Sequence, residues 1–212
     1  MEDADGINGM DDIDGMSEMG DAGDTDDITE SLQGKLLVAA PSLLDPNFTR
    51  TVVLMLAHGG HGALGLVLNR PTVTAVSSPL PEWEDLATEP GVVFVGGPVS
   101  EGTICLARVK SEVSVPSSGY LPLQGTLGTV DLETDPAFVA PWIERLRIFA
   151  GYAGWGEGQL EAEMESGAWW ALDASEEDIF NEEPGQLWKS VLRRQGGLLA
   201  LASAFPSDPS LN

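Results

Sequence analysis

Short apolar runs, broken at close intervals by glycine, proline and acidic residues, set the pattern of this chain. Residues 35–40, 51–57, 64–68, 92–95, 104–109, 147–150 and 168–172 are four to seven residues long, and those at 51–57 and 64–68 are rich in Val and Leu. Runs of that length closed by Gly, Pro or Asn predict buried β-strands. The glycine-rich stretch Gly60-His61-Gly62 between the second and third runs predicts a β-hairpin.

Helical spacing is found mainly later. Asp135-Pro136 supplies a cap and a first-turn proline, and Phe138, Val139, Trp142, Ile143 and Leu146 follow at helical intervals. A second helix is predicted over 158–166, with Leu160 and Met164 on one side and Gly167 as its stop. A third follows Pro184, where Leu187, Trp188, Val191 and Leu192 form a stripe. Arg193 and Arg194 suit its C-terminal dipole, and Gly196-Gly197 ends it. Strands first and helices late predict an α+β fold rather than regular βαβ alternation.

Charge divides the chain unevenly. The 212 residues carry a net charge of −24, and residues 1–30 hold 12 of the 34 acids with no Lys or Arg, so the tail and the remainder each carry −12. The tail has too little apolar content to offset its ordering entropy, which predicts a disordered acidic segment followed by one domain over 31–212. The stretch Met10-Asp-Asp-Ile-Asp14-Gly15 resembles half of a calcium-binding loop, but Met10 stands at the first ligand position and Asp21 at the twelfth. It reads as solvated acid, and no metal is expected. With only ten basic residues and no cluster larger than Arg193-Arg194, direct contact with nucleic acid is not expected either. The N-terminus lacks the basic start and apolar stretch of a signal peptide, and no apolar run reaches membrane-spanning length. The expected location is the cytoplasm, with no membrane partner.

Candidate chemistry is sparse. Gly60–Gly65 spells G-x-G-x-x-G, but a strand-like segment stopped by Pro71 follows it instead of a helix, so no nucleotide cofactor is expected. Cys105 lies within an apolar run, where burial raises a thiol's pKa and leaves it inert; a dyad with His58 is the alternative. Two polar-aromatic clusters stand out: Asp45–Arg50, and the segment from Gly151 to Glu161. Arg50, Asn69 and Arg70 border the hairpin strands, and Trp155, Gln159 and Glu161 begin the later helix. These six are expected to converge on one cleft, because loops at strand ends present function on a rigid sheet.

Three segments carry a resemblance: GKLLVAAPSLLDPNFTRTVVLMLAHGGHGALGLVLNRPT, VVFVGGPVSEGTICLARV and GYAGWGEGQLEAEMESGAWW. In order and spacing they resemble the bacterial YqgE/AlgH family, from about Gly34 to Trp188. The resemblance implies an α+β fold with a branched, mostly antiparallel sheet curled into a pseudo-barrel and flanked by a few helices. It brings no catalytic residue or ligand, although members are often labelled transcriptional regulators. Asp45, Pro46, Phe48, Asn69, Pro71, Gly96, Gly97, Pro98, Gly154, Trp155, Gln159 and Glu161 fall on the family's signature positions. The reading that follows is a non-enzymatic module for a protein partner or small ligand, with any regulatory role indirect. The alternative is a hydrolase using Glu161 or His58 beside Trp155.

Overall fold

The computed structural model describes residues 31–115 and 118–205. The acidic tail and its calcium-loop fragment lie outside the described residues. Among the described residues, ten strands form one sheet: β1 (Lys35–Ala39), β2 (Val52–Gly59), β3 (Gly62–Val67), β4 (Pro71–Ala75), β5 (Val92–Val95), β6 (Val99–Val109), β7 (Tyr120–Gln124), β8 (Leu127–Val130), β9 (Ile143–Trp155) and β10 (Trp169–Asp173). Their order is β10-β1-β2-β3-β9-β6-β8-β7, with β4 and β5 on a side branch. All pairings are antiparallel except β5 with β9. The fold is α+β, with the sheet curled into a half-barrel and a few short helices.

The branch comes from β9. One of its edges pairs with β6 from Ile143 to Tyr152. Its other edge is divided: Phe149 and Ala150 pair with β5, whereas Ala153 to Trp155 pair with β3. Gly96 sits at the fork, donating to the Ala150 carbonyl and accepting from the Val67 amide. At the neighbouring Gly97 a Cβ would lie 2.2 Å from the Tyr152 carbonyl carbon. Only glycine lets three backbones come so close.

Both faces of the central strands are covered, which explains their unbroken apolar runs. Leu36, Val38, Leu54 and Leu66 pack with Phe94 and Phe149 under the helix Leu187–Gln195, through its Leu187, Trp188, Val191 and Leu192. Leu37, Val53, Met55 and Val67 face the opposite way, against Trp155, Trp169 and Leu160, the last on the helix Gln159–Glu165. A third cluster, with Cys105, Val130, Trp142, Leu146 and Ile148, closes the far end of the sheet. The hairpin between β2 and β3 and both of these helices lie where the sequence pattern places them.

The helix predicted from Asp135 is different. Asp135 does cap it, accepting from the Ala137 amide, but the helix ends at Val139. Ile143 and Leu146 belong to β9, whose 13 residues extend the predicted 147–150 strand at both ends. Pro141 is the physical reason: within a helix it would supply no N–H and would clash with the preceding turn. Among the described residues, no helix is long and apolar enough to cross a membrane.

Arg147 is the unusual residue of β9, being 1% exposed. Its guanidinium donates to the carbonyls of Ile179 (3.2 Å), Glu89 (3.0 Å) and Asn181 (3.0 Å) and lies 4.4 Å from the Phe94 ring centroid. Burial pushes its pKa down to about 10, with Arg145 adding to the effect, so the group stays charged at neutral pH. Three main-chain carbonyls thus take the place of a carboxylate. Arg147→Met should destabilise the fold by about 2–4 kcal/mol, because those carbonyls lose their donors. Urea unfolding monitored by tryptophan fluorescence measures this, and a change below about 1 kcal/mol would contradict the structural role.

Candidate functional site

The turn at 45–50 organises the first candidate region. The Asp45 carboxylate accepts the Asn47 amide (2.8 Å) and its carbonyl accepts from the Thr49 amide and hydroxyl, both at 2.7 Å. Arg50 leaves the turn with φ of 56°, the only positive φ outside glycine among the described residues. Asn69 secures it from the next strand connection: Nδ2 donates to the Arg50 carbonyl (2.8 Å) and Oδ1 accepts from the Val52 amide (3.0 Å). Arg70 Nη2 donates to the carbonyls of Thr49 (3.0 Å) and Pro46 (3.3 Å). The Arg50 guanidinium turns elsewhere, lying 4.7 Å from the Trp188 ring centroid and donating to the Phe205 carbonyl.

Phe48 projects from the same turn into an aromatic group. Its ring stacks on Trp155 at 5.9 Å and meets Trp169 edge-on at 5.3 Å. Both indole N–H groups donate to Glu163 Oε2, at 3.0 Å and 2.8 Å, and Gln159 donates to Glu163 Oε1 at 2.9 Å. Glu161 Oε1 lies 2.9 Å from His58 Nε2. The Leu32 amide donates to His58 Nδ1 at 3.3 Å, which leaves the Nε2 proton to face Glu161. Both ring nitrogens of His58 are therefore occupied, and its side chain is 3% exposed.

Of the six sequence-predicted residues, Arg50 belongs to the 45–50 turn, Asn69 and Arg70 bond to it and Trp155 stacks on its Phe48, whereas Gln159 and Glu161 bond to Glu163 and His58 instead, and the six share no one cavity. Asn69 and Arg70 line a cleft of about 290 Å³ together with Pro46, Val67, Pro71, Val95 and Gly97, at the fork of the sheet. Trp155, Gln159 and Glu161 are not among its walls, and neither is Arg50. Glu163 is the member that sequence reading did not find. Its one signal is its position four residues after Gln159 on the helix, and in so acidic a chain that marks no single carboxylate.

A larger cavity, of about 770 Å³, opens elsewhere in the curled sheet. Leu56 and Ala57 of β2, Leu64 of β3, Ile104 and Cys105 of β6, and Leu123 of β7 give it apolar walls; Gln33, Thr103, Thr129 and Asp131 supply polar groups. Burial pushes the Cys105 thiol far above the ordinary thiol range, so the thiolate needed for nucleophilic attack is not formed at neutral pH. Among the described residues, no three His, Cys, Asp or Glu side chains gather as a metal-binding group.

Residues 36–200 match the family model described as AlgH-like. The chain belongs to the AlgH-like family. It is 51% identical over 185 residues to a UPF0301 protein of Streptomyces coelicolor, covering 86% of this chain and 96% of that protein. It is 45% identical to a UPF0301 protein of Thermobifida fusca, with the same coverage of each chain. A crystal structure of a Corynebacterium diphtheriae protein superposes with a TM-score of 0.77 at 32% identity, covering 82% of this chain and 92% of that one. The solution structure of AlgH from Pseudomonas aeruginosa gives 0.63 at 29% identity, covering 84% and 96%. For this AlgH-like chain the matches establish family and fold.

Removing Glu163 separates a structural role for the aromatic group from a surface one. Glu163→Ala leaves two indole donors unpaired and should cost about 2–4 kcal/mol, whereas Gln159→Ala should cost less than about 1 kcal/mol. Urea denaturation of the two variants checks the ordering, and equal effects would contradict it.

Proposed function

We propose that this AlgH-like chain is a cytoplasmic binding module without a catalytic centre, and that it seats a small, largely apolar ligand in the cavity between β2, β3, β6, β7 and β8. The observation that carries this reading is the cavity itself. Its volume of about 770 Å³ falls in the range of small-molecule sites, and its walls are mostly apolar with a few polar groups among them. Two further features favour binding over catalysis. The buried thiol in its wall is protonated, and the His58–Glu161 pair is spent on holding residues near the start of the domain to the helix Gln159–Glu165.

Charge supports an indirect route for any regulatory effect. With ten basic residues against 34 acids, the chain offers few side chains to neutralise a phosphate backbone. Of its few cations, Lys35, Arg108, Arg145 and Arg194 are already paired with carboxylates. A regulatory signal would pass by way of the bound ligand or a protein partner that senses it.

The test is titration of the full chain with an environment-sensitive apolar fluorophore. The expected result is saturable binding at one site per chain. Ala57→Trp, which places an indole in the cavity wall, should weaken it by about tenfold or more, the equivalent of about 1.4 kcal/mol. Unsaturable binding, or affinity unchanged in both Ala57→Trp and Thr103→Trp, would overturn the assignment.

A further inference from the structure

We infer that the cleft at the fork of the sheet is a second site, one that takes a small organic anion: a carboxylate or phosphate head on a short apolar body, with Arg70 as the head-group ligand. The argument begins with charge. Arg108, Arg145 and Arg194 each lie within 3.3 Å of a carboxylate oxygen. Arg70 lies in a cleft wall, half-buried, with no carboxylate in ion-pair range among the described residues.

Its partners are the carbonyls of Pro46 and Thr49, both contacted by Nη2. They anchor the guanidinium plane and do not neutralise it. A guanidinium has five N–H donors in a fixed fork suited to two-point contact with a carboxylate or phosphate. Nη1 and Nε have no acceptor among the described residues. The Gly97 amide, also in the wall, likewise has none.

The rest of the lining limits what fits. Pro46, Pro71 and Pro98 contribute rigid backbone without N–H groups, and Val67 and Val95 give apolar surface. Asn69 is excluded as a ligand, because both ends of its amide are already used within the turn. The cleft's 290 Å³ is at the lower end for small-molecule sites, which suits one head group and a few carbons. The chain's acidity does not forbid an anion here, because at physiological salt charges beyond about 8 Å are largely screened. The proline-walled cleft lowers the local dielectric, which strengthens the charge-assisted hydrogen bonds.

Backbone amide NMR of the full chain, titrated at constant ionic strength with inorganic phosphate and separately with butanoate, tests this. At least one anion should give saturable shifts centred on the amides of Asn69, Arg70, Val95 and Gly97, and the pair compared identifies the preferred head group. Arg70→Gln should weaken binding by about tenfold or more. Val95→Glu should do the same while leaving the guanidinium's hold on the 45–50 turn intact, since Val95 is 44% exposed at the cleft. The inference is overturned if neither anion shifts these amides saturably, or if the Val95→Glu chain binds as tightly as the unaltered one.

Discussion

Two strands share one edge of β9, and the geometry of the molecule depends on that division. A sheet edge offers one row of N–H and C=O groups, so β3 and β5 must take different stretches of it and diverge between them. Divergence requires the backbones of β9 and the Gly96–Gly97 connection to come within what any side chain would block. From this fork the sheet curls, carrying β4 and β5 to one side and β3, β2, β1 and β10 to the other. The cleft holding Asn69 and Arg70 lies at the fork, and the larger cavity opens where β2 and β3 face β6, β7 and β8. Both sites are consequences of one branched strand.

Arg147 shows how that strand is tied to the loops around it. A buried cation is costly unless its charge is compensated, and here Nη1 and Nη2 reach main-chain carbonyls in two separate segments and the group lies on the face of Phe94, while Nε has no partner among the described residues. Because the acceptors belong to residues 89, 179 and 181, the charge fastens distant parts of the chain to β9. The pairing of Glu163 with two indoles does the same at the other end of the strand, securing Trp155, the last residue of β9, to the helix that follows. Polar groups inside this domain specify geometry as much as they contribute stability.

What the sequence revealed follows from how strongly each segment is patterned. The β2–β3 hairpin and the helices Gln159–Glu165 and Leu187–Gln195 were legible because apolar runs or stripes there end at clear glycine or proline stops. β7 was not: it contains Pro122, and Leu121 is 70% exposed, so it reads as loop although it is a strand that pairs, among the described residues, with β8 alone. The large cavity was hidden for the same reason, since β7 forms one of its walls. Phe138 to Leu146 has apolar spacing compatible with a helix, and Pro141 was the signal against it. Asn69 and Arg70, which line the cleft, drew attention through their place at a strand end, whereas Glu163 could not be told from its acidic neighbours without the fold.

The central claim is that the cavity under β7 is kept open to hold a ligand, not left over from the curling of the sheet. The most direct measurement is a high-resolution crystal structure of the chain purified from its own cells. The account predicts β7 standing away from Leu56 and Leu64, with continuous non-water density between Ile104 and Leu123. A structure in which β7 has packed down on β2, and side chains fill the space between them, would contradict it.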